Sequence, residues 1–148
     1  MTEVNACSEG KNLMELTASH LMKREIISFD CHTSCHLIAE TMVEDNFGGA
    51  PIVDHEARLI GIVTEYDLLK AMMNGRTLYE THANEIMTRP AVSIPDGMFV
   101  EEILALLQSR HLIRIPVVNT RGRLVGMVAR RDILGCYIKM GIEGSVLL

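Results

Sequence analysis

Apolar and polar positions along this chain change rhythm in a fixed order, and the order occurs twice. Residues 91–94 (AVSI) alternate and include two β-branched positions, the pattern of a short strand. Asp96 can cap a helix, and Val100, Ile103, Leu104 and Leu107 after it fall on one helical face. Residues 115–118 (IPVV), 119–122 (NTRG) and 123–129 (RLVGMVA) read as two strands around a tight turn. Residues 130–140 then read as a second helix, and 83–87 as a short helical lead-in to the whole set. The predicted order is strand, helix, strand, strand, helix. Residues 26–29, 33–45, 50–54, 58–64 and 65–73 predict the same order earlier in the chain.

The second occurrence is a duplication. Shifted by 65 residues, positions 21–69 match 86–134 without a gap, and 12 of 49 are identical. The identities include Met22, Arg24, Pro51, Arg58, Gly61, Val63 and Asp67. The domain plan that follows is an N-terminal tail (1–15), a first motif (16–73), a linker (74–82), a second motif (83–140) and a C-terminal tail (141–148). Neither motif makes an attractive domain alone, because a three-stranded sheet with two helices leaves an apolar sheet face. The expected fold class is α/β, of the α+β type. Two βαββα motifs would pack sheet to sheet with pseudo-twofold symmetry and leave two equivalent clefts.

Composition narrows the function classes. Of 148 residues 48% are apolar and none is Trp, so the core must be aliphatic and filled partly by the ten Met. No apolar run approaches the roughly 18 residues that cross a bilayer, and MTEVNACSEGKN lacks a signal-peptide pattern. The expectation is a cytoplasmic chain with no membrane partner, its four Cys reduced and without structural disulfides. Charge is uneven. Residues 1–82 carry 6 Lys/Arg against 13 Asp/Glu, residues 83–148 carry 8 against 6, and seven of ten Arg lie between Arg89 and Arg131. This argues against a nucleic-acid surface. Two readings stay open: a solvated charged face, or a small anion held by guanidinium groups.

The segment CHTSCH (31–36) invites a metal, redox or haem reading. The repeat sets Cys31 opposite Asp96, Cys35 opposite Val100 and His36 opposite Glu101. Cys35 is therefore expected in the core and His36 at the surface. One helical turn cannot aim all four side chains at one tetrahedral metal, so no metal site is expected. A redox role for Cys31 at a helix start stays open. No G-x-S-x-G, H-E-x-x-H or P-loop occurs, so no catalytic residue is assigned and the chain is not expected to be an enzyme.

The informative chemistry lies in GIVTEYD (61–67) and GMVARRD (126–132). In each, a strand runs through a polar turn to an Asp at a helix start, where backbone N–H groups favour an anion. Thr64 adds a hydroxyl, and Arg130 and Arg131 add guanidinium groups. Asp67 and Asp132 could accept two hydrogen bonds from a ribose diol, or could simply stabilise the helix start.

At these residues the chain resembles a family. Two segments of the form apolar-Pro-(Ile/Val)-Val-(Asp/Asn), then Leu-apolar-Gly-apolar-Val, then Asp-apolar-Leu, 65 residues apart, look like a tandem pair of cystathionine-β-synthase (CBS) domains, a Bateman module. The resemblance spans about residues 16–140. It implies a non-catalytic regulatory module, commonly homodimeric, that binds AMP, ADP, ATP or S-adenosylmethionine, with or without Mg²⁺ and with no required cofactor. It would sense cellular energy state and signal to an unidentified partner protein. Carried over, Asp132, Arg131, Arg130, Arg114, Ile113, Pro116 and Val92 form one cleft, and Asp67, Thr64, Pro51, Gly49 and Ile27 the other. Ala129 replaces the hydroxyl in the second copy, while Gly49, Glu65 and Tyr66 replace Arg114, Arg130 and Arg131 in the first. The clefts are thus expected to be unequal, the Arg-rich one holding phosphate more tightly. The alternative is a structural dimerisation or docking module with vestigial clefts.

Overall fold

A computed structural model describes residues 12–141. The expected tails fall mostly outside the described residues, at 1–11 and 142–148. Residues 12–15 do not behave as a tail: Asn12 caps a 3-10 turn, Leu13–Glu15, and Leu13 and Leu16 are buried. Their apolar side chains hold the segment to the core.

The described chain runs α1 (Ala18–Leu21), β1 (Phe29–Asp30), α2 (Cys35–Asp45), β2 (Gly49–Val53), β3 (Leu59–Thr64) and α3 (Glu65–Met73). It continues with a 3-10 turn at Leu78–Glu80, α4 (Ala83–Ile86), β4 (Ile94–Pro95), α5 (Val100–Ser109), β5 (Arg114–Val118), β6 (Leu124–Ala129) and α6 (Arg130–Gly141). The strands form two three-stranded sheets, ordered β1-β2-β3 and β4-β5-β6. In each the short first strand is parallel to the middle one.

Most of the predicted order holds, with two corrections. The strands expected at 26–29 and 91–94 shrink to Phe29–Asp30 and Ile94–Pro95. Only these residues meet the middle strand, Phe29 beside Ile52 and Ile94 beside Val117. Asp96 does not cap α5. Its N–H donates to the Val118 carbonyl (3.1 Å) and its own carbonyl accepts from Ser19 N–H (3.0 Å), so it is tied to the sheet before the helix begins. The helix starts at Val100 with Phe99 before it. In the first copy Ser34 does cap, its Oγ accepting from Leu37 N–H.

The chain divides into two compact units, and they exchange their lead-in segments. The first-copy unit comprises residues 27–92 with 122–124; the second-copy unit comprises 12–26, 93–121 and 125–141. The segment before the first copy thus packs with the second, and the segment before the second packs with the first. Backbone pairing shows why. Ala83 N–H donates to Thr33 O (2.9 Å), Asn84 N–H to Cys31 O (2.9 Å) and Cys35 N–H to Thr81 O (2.8 Å). The equivalent bonds of the other unit are Ala18 to Met98 (2.8 Å), Ser19 to Asp96 (3.0 Å) and Val100 to Leu16 (3.0 Å). Each unit then buries matching residues: Ile38 and Ile103, Val63 and Val128, Met42 and Leu107. Ideal burial of one such side chain stabilises by about 1.5–3 kcal/mol.

The cysteines differ from expectation. Cys31 and Cys35 are free, but Cys136 is disulfide-bonded. Sequence spacing gave no sign of it, because no second Cys lies near Cys136 in the chain.

Candidate functional site

Each unit builds one strand-to-helix corner around an Asp. In the first-copy unit β2 and β3 are antiparallel, with Gly49 opposite Thr64. Glu65 N–H donates to Gly48 O (3.1 Å), which closes the corner. Thr64 then caps α3 reciprocally: its Oγ1 accepts from Asp67 N–H (3.0 Å), and Asp67 Oδ2 accepts from Thr64 N–H (2.9 Å). The second-copy unit repeats the frame. Arg130 N–H donates to Ile113 O (2.9 Å), and Asp132 Oδ2 accepts from Ala129 N–H (2.9 Å). Ala129 has no hydroxyl to return the bond.

The exchanged lead-in completes each corner. Thr88 N–H donates to Ile62 O (2.8 Å) and Ile62 N–H to Thr88 O (3.0 Å), so the lead-in crosses β3 beside Gly61. Lys23 and Met127 exchange the same two bonds (2.9 and 3.0 Å) beside Gly126. A Cβ on Gly61 would lie 2.6 Å from Met87 Sδ and 3.1 Å from Thr88 O. On Gly126 it would lie 2.5 Å from Met22 Sδ and 2.9 Å from Lys23 O. The repeated glycine is therefore the space in which the lead-in crosses the strand.

The residue after the crossing reaches the corner Asp. Thr88 Oγ1 donates to Asp67, 3.0 Å from Oδ2 and 3.2 Å from Oδ1. Lys23 Nζ lies 3.8 Å from Asp132 Oδ1, with side-chain exposures of 62% and 13%. One Asp is thus held by a neutral hydroxyl and the other by an exposed cation. The surroundings sharpen the contrast. Arg114, Arg130 and Arg131 are exposed on the second-copy unit, where the first copy has Gly49, Glu65 and Tyr66. A Cβ on Gly49 would meet Ile62 Cγ2 at an ordinary 3.6 Å, so a Cβ is tolerated there.

The remaining candidates scatter. Pro51 and Pro116 are buried, Ile27 and Ile113 exposed, and Val92 partly buried. Val92 belongs to the first-copy unit, and the chain changes unit just after it. Lys23 and Thr88 were missed. A signal for them existed: the repeat aligns them with each other between the identities Met22/Met87 and Arg24/Arg89.

CHTSCH separates into parts. Cys35 is fully buried, as expected, and burial pushes its thiol up to about 11, with Glu85 adding to the rise. His36 is less free than expected, stacked on Tyr79 with ring centroids 3.8 Å apart and 3.6 Å from Glu40.

No helix among the described residues is long and apolar enough to cross a membrane. Comparison with known proteins gives consistent matches. The family model for the CBS domain matches residues 18–74 and again 83–139. An uncharacterized protein of Methanopyrus kandleri is 30% identical over 123 residues, 82% of this chain and 63% of that protein. The chain spans only 22% and 18% of two larger relatives from Methanocaldococcus jannaschii. Among solved structures, CBSX2 in complex with AMP aligns with a TM-score of 0.75 at 25% identity, covering 85% of this chain and 98% of that one. The CBS domain pair of protein MJ0100, in complex with 5′-methylthioadenosine and S-adenosyl-L-methionine, aligns with a TM-score of 0.68 at 25% identity, covering 82% and 94%.

Proposed function

The chain belongs to the CBS domain family, with two family domains in tandem, and on that premise we propose a non-catalytic regulatory module that binds an adenine nucleotide at its second-copy corner. The observation that carries this reading is Asp132. Its Oδ2 is fixed by Ala129 N–H, and among the described residues its Oδ1 meets an exposed lysine 3.8 Å away. A ribose diol can take Oδ1 without breaking a short hydrogen bond. Arg114, Arg130 and Arg131 supply charge for phosphate, and a displaced Lys23 adds to it. Asp67 is less available, since Thr88 already donates to it. AMP, ADP and ATP are the favoured ligands, and S-adenosylmethionine is the less charged one. Mg²⁺ would accompany only the polyphosphates.

The module is further proposed to act in the cytoplasm as a homodimer that passes its state to a partner chain. Equivalent helices carry equivalent exposed apolar residues, Leu69, Met72 and Met73 on α3 and Leu134, Tyr137 and Ile138 on α6, which supports self-association. The ligand must bind two packing states unequally for any signal to arise. The docking-module alternative draws its support from the missing hydroxyl at Ala129.

Thermal unfolding of nucleotide-stripped protein tests the reading. Ligand at about 100 times its dissociation constant should add about 2.7 kcal/mol, a rise on the order of 4 °C or more at this size. The shift should disappear in Asp132→Ala. No shift with any adenosyl ligand at millimolar concentration would leave the docking module as the better reading.

A further inference from the structure

We propose that Asp30, Cys31 and His32 form a binding site for a zinc-type divalent metal ion, distinct from the nucleotide corner. A carboxylate oxygen of Asp30, Sγ of Cys31 and a ring nitrogen of His32 all lie within 4.8 Å of one another. A tetrahedral zinc with bonds of about 2.0–2.3 Å holds its ligands roughly 3.3–3.8 Å apart. Asp30 and His32 are exposed, so small side-chain rotations can close that difference. One sulfur, one imidazole nitrogen and one carboxylate oxygen suit zinc over magnesium or calcium, and three protein ligands leave a position for water.

The backbone beneath the trio is fixed in advance. His32 N–H donates to Asp30 Oδ1 (2.7 Å). Thr33 N–H donates to Asp30 O (3.0 Å), and Cys31 O accepts from Asn84 N–H (2.9 Å). A site on such a pinned turn loses little freedom on binding.

The duplication supplies an internal control. The second copy builds the same turn with the same backbone bonds: Met98 N–H donates to Pro95 O (3.1 Å) and Ser19 N–H to Asp96 O (3.0 Å). It does so with Pro95, Asp96 and Gly97. The fold therefore requires none of Asp30, Cys31 and His32. The rest of CHTSCH stays outside the site, since Cys35 is buried and His36 stacks on Tyr79. Metal binding would convert the free Cys31 thiol to a thiolate and release its proton to solvent.

Metal-stripped protein titrated with cobalt(II), and separately with zinc against a chelating dye, tests the proposal. One equivalent of cobalt should bring thiolate-to-metal charge-transfer absorption in the near ultraviolet, bleached by zinc and absent in Cys31→Ser. His32→Ala and Asp30→Asn should weaken zinc binding by about tenfold or more, as even loss of an outer partner can. His55→Ala, which removes an exposed imidazole elsewhere, should leave it unchanged. His32 is exposed, so its removal leaves the core intact. Zinc affinity unchanged in His32→Ala, or cobalt binding without the thiolate band, would overturn the site.

Discussion

The two corners share a frame and differ in what touches the Asp. At Asp67 a threonine caps the helix and a second threonine, Thr88, donates to the carboxylate. At Asp132 the cap hydroxyl is gone and the partner is Lys23, 3.8 Å away. The first corner is closed by hydrogen bonds from neutral donors, the Thr64 N–H and the Thr88 hydroxyl, to the Asp67 carboxylate. The second is held by one backbone bond and a loose ion pair, with three exposed Arg on the same unit. On the proposed reading, duplication has left the first corner as a structural joint and the second as the one that offers charge to a ligand. The difference arises from only a few substitutions on an otherwise shared backbone.

The largest effect should come from filling the crossing itself. Gly126→Ala places a methyl against Met22 and the Lys23 carbonyl, and should destabilise by about 1–3 kcal/mol. Gly61→Ala should cost somewhat less, because the backbone oxygen there is farther, at 3.1 Å. Chemical denaturation of the two variants measures the gap; equal stability to the parent in both would mean the lead-ins do not depend on the glycines.

Exchanging the caps comes next. Ala129→Thr should restore the reciprocal bond to Asp132 and stabilise by about 0.5–1 kcal/mol. Thr64→Ala should lose about 1 kcal/mol at the other corner. Thermal melts of both should move in opposite directions.

Lys23→Thr makes the second corner resemble the first. Its direct effect on stability should stay within about 0.5 kcal/mol, since the lysine of the pair is exposed and 3.8 Å away. Its effect on nucleotide affinity should be larger at low salt than at high salt. Titrations at two ionic strengths check this.

The smallest effect concerns pH in the first-copy unit. His82 N–H donates to Glu85 (2.8 Å), and Arg76 also bonds to that carboxylate. The backbone bond first, then Arg76, hold Glu85 below its ordinary value of 4.5. A depressed carboxylate contributes stability that is present above its unfolded pKa and is lost as pH falls through the folded one. Arg76→Ala should move the Glu85 titration midpoint up toward 4.5, read by NMR.

Much of this was legible in the sequence, and particular residues show why. Helices and hairpins followed from periodicity, so β2, β3, α3, β5, β6 and α6 fell within a residue or so of expectation. Cys35 was placed in the core because Val100 occupies its repeat position. The exchange of lead-ins was not legible. Identical backbone bonds can close within a copy or between copies, and alignment of the copies cannot tell which. For that reason the contacts of Lys23 and Thr88 with the corner Asp residues were missed. Asp96 was misjudged because its backbone bonds to Val118 and Ser19 are long-range in the chain. The Cys136 disulfide left no local trace, because no second Cys lies near it in the sequence.

The decisive measurement is calorimetric titration of AMP and ATP into the parent, Asp132→Ala and Asp67→Ala. The unequal-corner reading predicts one tight site per chain in the parent. Asp132→Ala should weaken that site by about tenfold to a hundredfold, the loss of one or two charge-assisted hydrogen bonds, while Asp67→Ala leaves it nearly unchanged. Two equal sites in the parent, or equal losses in the two variants, would contradict it.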